Sequence, residues 1–517
     1  MSLSAWSTPR NRLAAAFLLG LVSALAFQPV GWWLLMPLVL AALCDLVARA
    51  GSLKQALLSG WLFAVGQFVL GLNWIATAFT FQAAMPAWLG WIAVVLLSVY
   101  LAVFPMFAAG LAWRIGRDRP VALVFALAGA WAVTEWLRAG LFTGFAWNPV
   151  GAALVDTLWF RSIRLIGTYG LSAVTVLIGG ALWLAARRML VPATVIAVPL
   201  VALMLVPPAT LQPRDAVRPI RIVQPNIGQD TKWNPAFEQV AVNRLYKLSS
   251  MRDRRRELVF WPEAAVTAPL SDNRPGAAPY VQMERSRATL PIEKPDLLLT
   301  GGISLRSRDG RRADAAANSI FVLGPGGQFV GRYDKAHLVP YGEYLPMRPL
   351  LSALGLSRLA PGEGDFQPGH GPSSLSLPED WGKAGFQLCY EIVFSGNVVE
   401  RDNRPDFIFN PSNDAWFGRW GPPQHLAQAR LRAAEEGIPV IRSTPNGISA
   451  LIDARGRIVD SIPWHRAGII WAELPRPVAA PGPFARLGNA IPVLFGFLLI
   501  IAGIAVGQSR RYSADNT

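Results

Sequence analysis

The sequence predicts a polytopic α-helical membrane bundle of about eight spans that carries an α/β domain outside the bilayer. Three observations predict it. The 517 residues are 52% hydrophobic and only 16% charged, with a mean hydropathy of +0.33, whereas an average soluble chain is about 25% charged. Runs without a single charge occupy 13–44, 55–113, 165–186, 189–213 and 487–508, and about 20 apolar residues cross a bilayer. Between the last two runs the chain changes character: 208–488 has charges throughout and short apolar stretches that end in Gly, Pro, Asn or Asp.

This composition excludes an ordinary soluble enzyme, a disordered chain and a collagen-like fibre. The two cysteines, Cys44 and Cys389, lie far apart and cannot staple a disulfide scaffold. Twenty tryptophans suit a membrane protein, because indole rings favour the bilayer interface. The net charge is +15, but its distribution speaks of topology. Before residue 208 there are four acids, Asp45, Asp118, Glu135 and Asp156, against twelve Lys or Arg. No basic stripe runs along the soluble part, so no nucleic-acid partner is expected.

The elements follow in order. The run 13–44 breaks at Gln28-Pro29-Val30-Gly31, which gives helices at about 12–28 and 31–48. The run 55–113 holds two more, with a break near Gln82-Ala83-Ala84-Met85-Pro86. A fifth covers about 120–138 and ends on Glu135 and Arg138. The sixth and seventh cover about 169–186 and 190–207, separated by Arg187-Arg188, and the eighth about 489–507. Counting from the inside, Arg10, Arg12, Arg49, Lys54, Arg114, Arg117, Arg119, Arg187, Arg188, Arg510 and Arg511 all fall on one side. The short outer loops hold only Arg138, Arg161 and Arg164. By the positive-inside rule both termini are cytoplasmic and 208–488 lies outside. Ala24-Leu25-Ala26 resembles a signal-peptide cleavage site, but the next span follows at once, so no cleavage is expected. The domains are therefore 1–207 with seven helices, an outer loop at 139–169, the domain 208–488, and 489–517 with the eighth helix and a cytoplasmic tail. The aromatic loop 139–169 (Phe142, Phe145, Trp147, Trp159, Phe160) reads first as an interfacial belt. The alternative is an arm beside a lipid-facing site.

In 208–488 the candidate strands are 220–224, 258–261, 297–300, 319–323, 385–390, 407–410, 440–443 and 448–452. Candidate helices cover about 235–255 and 423–437. Strands interleaved with helices imply a layered α/β sheet. Gly324-Pro325-Gly326-Gly327 reads as a hairpin turn.

No G-x-S-x-G elbow and no H-E-x-x-H occurs, and four histidines without paired spacing make no zinc site, so no metal is expected. Three segments stand out: Phe260-Trp261-Pro262-Glu263, a carboxylate just after an apolar strand; Tyr333-Asp334-Lys335; and Leu388-Cys389-Tyr390-Glu391, a cysteine at a strand end. Singly, each has a bland reading as a solvated rim acid, a surface ion pair or a buried core thiol. Together, Glu, Lys and Cys at three strand ends can converge at one sheet edge. A carboxylate can take the thiol proton, and an ammonium can favour the thiolate and stabilise an oxyanion. That is a complete set of groups for acyl transfer through a thioester.

This order of Glu263, Lys335 and Cys389 resembles the triad of the nitrilase (carbon–nitrogen hydrolase) superfamily over roughly 220–475. With eight spans around it, the chain further resembles that superfamily's membrane-bound apolipoprotein N-acyltransferase branch. The matching words are Val223-Gln224-Pro225-Asn226-Ile227, Lys232-Trp233, Trp261-Pro262-Glu263, Tyr333-Asp334-Lys335, Leu338-Val339-Pro340-Tyr341-Gly342-Glu343, Cys389-Tyr390-Glu391 and Ser412-Asn413-Asp414-Ala415-Trp416-Phe417-Gly418. The resemblance implies an α–β–β–α sandwich on a membrane bundle. It implies Glu263 as general base, Lys335 as transition-state stabiliser and Cys389 as nucleophile, with Glu343, Tyr390, Glu391, Trp233 and Trp416 around them. It implies a phospholipid acyl donor, expected to be phosphatidylethanolamine, and the α-amine of a diacylglyceryl-cysteine on an apolipoprotein as acceptor. The expected setting is the bacterial inner membrane with the catalytic domain periplasmic, acting as a monomer without a cofactor. Two other classes compete: a membrane-tethered amidase with water as acceptor, and a transporter or receptor without chemistry. Eight helices exceed a tether, and the spans hold almost none of the ionisable residues of a transport path.

Overall fold

The computed structural model describes residues 8–81, 86–213, 217–228, 235–251, 256–353 and 365–508. Its N-terminal part is a helical bundle: α1 (Pro9–Ala24), α2 (Leu35–Ala48), α3 (Leu53–Gly71), α4 (Leu89–Gly116), α5 (Pro120–Gly140), α6 (Ile163–Ala186) and α7 (Leu190–Met204). Two of the starts follow capping chemistry. Thr8 accepts a hydrogen bond from Asn11 N at 3.2 Å with Pro9 as the first helical residue, and Ser52 caps α3 through Gln55 N at 3.3 Å. Among the described residues five helices are long and apolar enough to cross a membrane: α3, α4, α5, the segment Leu158–Ala186 that includes α6, and a C-terminal helix. At 1.5 Å per residue, the 16, 14 and 15 residues of α1, α2 and α7 fall short of the ~30 Å hydrocarbon core on length alone. The expected helix at about 12–28 ends at Ala24, because Pro29 and Gly31 (φ +69°) turn the chain. The expected sixth helix starts earlier, at Ile163, with a break at Gly167 (φ +68°).

Among the described residues after α7, the chain forms one seven-stranded and one six-stranded sheet. Its strands are β1 (Pro219–Gln224), β2 (Leu258–Phe260), β3 (Pro269–Asp272), β4 (Leu297–Arg306), β5 (Ala315–Gly324), β6 (Gln328–Asp334), β7 (Ser374–Leu377), β8 (Gly382–Phe386), β9 (Phe407–Pro411), β10 (Val440–Ser443), β11 (Ser449–Ile452), β12 (Ile458–Ile462) and β13 (Gly468–Glu473). One sheet runs β13-β1-β2-β4-β5-β6, with β3 beside β4; the other runs β12-β11-β10-β9-β8-β7. Alternation along the strands sorts their two faces. Ile220, Ile222, Leu258, Phe260, Leu297, Leu299, Ile320 and Val322 meet Ala384, Phe386, Phe407, Phe409 and Ile441 between the sheets. The odd partners Val223, Val259, Leu298 and Phe321 face outward, onto Leu245 of α8 (Pro235–Ser249) and Ala288 of α9 (Ala278–Ala288). The outer face of the second sheet, with Ile408, Val440 and Ile452, is covered by α10 (Gly421–Glu436). The layers are therefore helix, sheet, sheet, helix.

The helix α10 also rests on the bundle. Leu426, Ala429 and Ala433 share one apolar cluster with Phe68, Trp74, Leu101 and Trp147. Gln424 donates to Gly71 O at 3.1 Å and accepts from Trp147 Nε1 at 2.8 Å. At Gly167 the freed amide of Thr168 donates to the Glu435 carboxylate, while Arg432 donates to Thr168 Oγ1 and Val393 O. The chain then returns through α11 (Ala490–Gln508), whose Gly496 backbone lies against Gly129 of α5 with no room for a side chain.

The expectation for the 139–169 loop is corrected. Trp147 is fully buried and Phe160 is 7% exposed, because α10 and the Cys389 segment close over the loop. Phe142 alone stands out, at 87% exposure.

Candidate active site

Glu263 sits on the turn that follows β2. That turn lies directly on β4: a Cβ at Gly301 would meet Ala264 N at 2.6 Å and Glu263 Cα at 2.7 Å, so only glycine fits there. Gly301 N donates back to Pro262 O at 3.2 Å. Lys335 follows β6, and its amide continues the ladder to Asn318 O on β5 at 2.8 Å. Asn318 thereby comes to the same edge. Its Nδ2 bridges two carboxylates, donating to Glu263 Oε1 at 2.8 Å and Glu343 Oε1 at 2.9 Å. The other Glu343 oxygen binds Lys335 Nζ at 2.8 Å and accepts from Val339 N at 2.8 Å. Lys335 is 1% exposed, and Glu263 and Glu343 are each 7% exposed.

Cys389 comes from the second sheet. The expected strand 385–390 stops at Phe386, and Cys389 opens a 3₁₀ turn, Cys389–Val393, at a left-handed φ of +52°. Strand pairing gives way here because Glu391 folds back: its Oε2 accepts from Leu388 N at 2.7 Å. Its Oε1 accepts from Tyr333 OH at 2.8 Å, Ala336 N at 2.8 Å and His337 N at 3.0 Å. One carboxylate thus ties the turn after Lys335 to the turn of Cys389. Such a buried acid is held by four donors.

The electrostatics are those of a neutral thiol beside a charged ammonium. Burial, then Glu263, pushes the Cys389 thiol well above its ordinary range, and Lys335 pulls the other way. Burial works against the Lys335 ammonium, but Glu343, Glu263 and Cys389 outweigh it and raise its pKa. A reaction at this sulfur would therefore need an adjacent proton acceptor. Glu263 also lines a cleft with Ile227, Leu245, Tyr246, Trp261 and Val266, and Cys389 is not among its lining residues.

Of the residues expected around the triad, Glu343 and Glu391 make the contacts above. Tyr390 stacks on Trp147 at 6.5 Å with the rings 14° apart, and its OH reaches Gly144 O at 3.4 Å. Trp416 is half-buried on the turn Asp414–Trp416 and meets Phe81 of the bundle edge-on at 5.9 Å. Trp233 lies outside the described residues. Sequence reading missed Asn318, which carries no motif. It also missed His425, Asp414 and Arg442, buried beneath Cys389. Asp414 stood within a matching word, but nothing assigned it a partner. Among the described residues no group of three His, Cys, Asp or Glu could hold a metal ion.

The family model "Carbon-nitrogen hydrolase" matches residues 220–483, the stretch that holds the two-sheet sandwich and Glu263, Lys335 and Cys389. The model "Apolipoprotein N-acyltransferase N-terminal domain" matches 19–181. The chain is 34% identical to the apolipoprotein N-acyltransferase of Rhodopseudomonas palustris, with 95% of each chain covered. It is 33% identical to that of Rhizobium rhizogenes (97% of this chain, 96% of the relative) and 34% identical to that of Brucella melitensis (90% of each). Among solved structures, Saccharomyces cerevisiae Nit3 is 18% identical at a TM-score of 0.35, covering 50% of this chain and 90% of that one. The fold assignment rests on the family matches instead. The chain belongs to the apolipoprotein N-acyltransferase family. It is a membrane-associated N-acyltransferase of lipoprotein acylation, with a nitrilase-like α/β domain.

Proposed function

We propose that the chain works by a two-step, ping-pong transfer in which Cys389 carries the acyl group as a thioester. In the first step Glu263 takes the thiol proton as sulfur attacks the ester carbonyl of a phospholipid, phosphatidylethanolamine in this reading. A C–S bond forms, the ester C–O bond breaks, and the leaving lysophospholipid oxygen receives the proton from Glu263. In the second step the α-amine of a diacylglyceryl-cysteine attacks the thioester. A C–N bond forms, the C–S bond breaks, the amine proton passes through Glu263, and the thiol is restored. Lys335 faces the oxyanion in both steps, held by Glu343. The observation that carries this reading is the buried chain Glu263–Asn318–Glu343–Lys335, whose two ends, Glu263 and Lys335, act on the Cys389 thiol. Burial also serves the choice of acceptor, since an amine must outcompete water at the thioester.

The acceptor is not needed for the first step. Purified enzyme given phosphatidylethanolamine alone is expected to release one lysophospholipid per active site and then stall, with one acyl chain gained in its intact mass. Added diacylated lipopeptide then discharges it. Continuous lysophospholipid release without lipopeptide would mean that water is the acceptor and would overturn the transfer to an amine.

The proposed topology has eight spans, α1 to α7 and α11, with both termini cytoplasmic and the domain 208–488 on the periplasmic side of the inner membrane. Cysteine reporters check it. Leu290 is 69% exposed, Ser373 is exposed, and the Arg117 side chain is 58% exposed. On cells with a permeabilised outer membrane, an impermeant thiol reagent is expected to label Leu290→Cys and Ser373→Cys but spare Arg117→Cys. The native thiols are both buried. Labelling at position 117 would overturn the orientation.

A further inference from the structure

We propose that His425, fixed by Asp414 and Arg442, is a positioning residue that holds the backbone of Cys389 in its left-handed turn and so aims the sulfur. The inference rests on the reading that Cys389 is the nucleophile. A non-glycine residue at positive φ carries roughly 1–3 kcal/mol of strain and persists only where its surroundings fix it. At Cys389, Glu391 fixes the side before it, through Leu388 N. On the side after it, the Cys389 carbonyl faces His425 Nε2 at 3.1 Å and Asn410 Nδ2 at 3.4 Å. The histidine is the shorter and better placed of the two.

The cluster around His425 decides its protonation. A carbonyl oxygen only accepts, so Nε2 carries the proton. Nδ1 stands 3.0 Å from Arg442 Nη2 and 3.0 Å from Asp414 Oδ1. Arg442 Nη2 already reaches both oxygens of Asp414, at 2.6 and 2.7 Å, while its Nη1 donates to Asn410 Oδ1 at 2.7 Å and Ser412 Oγ at 2.9 Å. His425, Asp414 and Arg442 are all 0% exposed. A neutral imidazole, accepting at Nδ1 from Arg442, leaves one buried cation balanced by one buried anion; an imidazolium would add an unbalanced charge. Burial, then Arg442, indeed lowers the His425 pKa to about 4. The ring therefore donates steadily to Cys389 O across the neutral range.

The same ring also packs near two aromatics: Trp147 of the 139–169 loop lies 5.2 Å from it and Phe417 5.6 Å, and Trp147 also stacks on Tyr390. His425 thus sits between the nucleophile's carbonyl and an outer loop of the membrane part. It touches no reacting atom.

A misplacement of about 1 Å at a reacting group can lower a rate ~10²-fold. His425→Leu in the full-length enzyme is therefore expected to lower kcat about 10–10²-fold per acylatable Cys389, with KM for a diacylated lipopeptide within about twofold. Counting sites by the single-turnover acyl load separates this from lost protein. His425→Gln, whose amide nitrogen reaches the Nε2 position, is expected to regain most of the rate; His425→Asn, whose nitrogen falls at Nδ1, is not. If His425→Leu does not fold, the Gln–Asn pair still decides. Equal rates in those two, or a native kcat per site in His425→Leu, overturn the proposal. Native enzyme run alongside keeps the two ideas apart: if it loads no acyl chain on Cys389, the nucleophile reading itself fails.

Discussion

Cys389→Ala is expected to gain no acyl chain from phospholipid, release no lysophospholipid and form no triacylated product. A nucleophile that works as a unit with its base accounts for losses on the order of 10⁶-fold when removed. The fold should survive, since the thiol is a small buried group within the inter-sheet apolar cluster, and alanine leaves only a small void. Cys389→Ser is the more informative partner. It fits the same space beside Glu263 and Lys335, but a hydroxyl is a far weaker nucleophile near neutral pH than a thiol. It is expected to bind phospholipid and acylate slowly, leaving an ester that resists neutral hydroxylamine where the native thioester does not. Intact mass followed by peptide mapping reads all three proteins. Cys44 is the internal control, because it is fully buried inside the helical bundle. Acylation that persists in Cys389→Ala, or maps to Cys44, defeats the mechanism and leaves the family assignment standing.

How much of this was legible in the sequence depends on how local each feature is. The central strands announce themselves: Leu297-Leu298-Leu299 and Phe407-Ile408-Phe409 are apolar on both faces because both faces are covered. The strand β6, Gln-Phe-Val-Gly-Arg-Tyr-Asp, and the outer strand β12, Ile-Val-Asp-Ser-Ile, carry too many polar residues to stand out, and they form through pairing with β5 and β11. Nothing local divides thirteen strands between two sheets. The break after Phe386 was equally hidden. Apart from Gln387 the residues stay apolar to Tyr390, and the strand stops where Glu391 folds back onto Leu388 N and is fixed by the distant Tyr333, Ala336 and His337. At the candidate site, Glu263, Lys335 and Cys389 stand in short words at strand ends, where their chemistry can be read. Asn318 and His425 cannot be read that way. Each sits in an element whose pattern reports only its fold, and its value lies in a partner 55 or 36 residues away in sequence. Trp147 misleads for a related reason: an aromatic loop between spans looks interfacial until the catalytic domain is seen to close over it.

Glu263→Gln is expected to lower kcat about 10²–10⁴-fold, the usual loss when a general base is removed, and to change the shape of the pH profile. The substitution keeps the side chain's size, and its carbonyl oxygen can still accept from Asn318 Nδ2. The bridge to Glu343 and Lys335 therefore survives, and with it the fold. The proton chemistry does not. In the proposed mechanism the thiol, raised by burial and then by Glu263, is neutral at rest and passes its proton to Glu263 during attack. Removing Glu263's charge lets the thiol pKa fall, against the burial that raises it. The variant must react through whatever thiolate exists. Below the thiol pKa that fraction grows tenfold for each unit of pH, so log kcat of the variant should rise with slope near one as the medium becomes alkaline. The native profile should be flat there, because its base is internal. Single-turnover acylation from phosphatidylethanolamine, followed across pH in both proteins, checks the contrast. A variant profile that keeps the native shape, merely lowered at every pH, would remove Glu263 from the role of proton acceptor and leave it as part of the charged frame that holds Lys335.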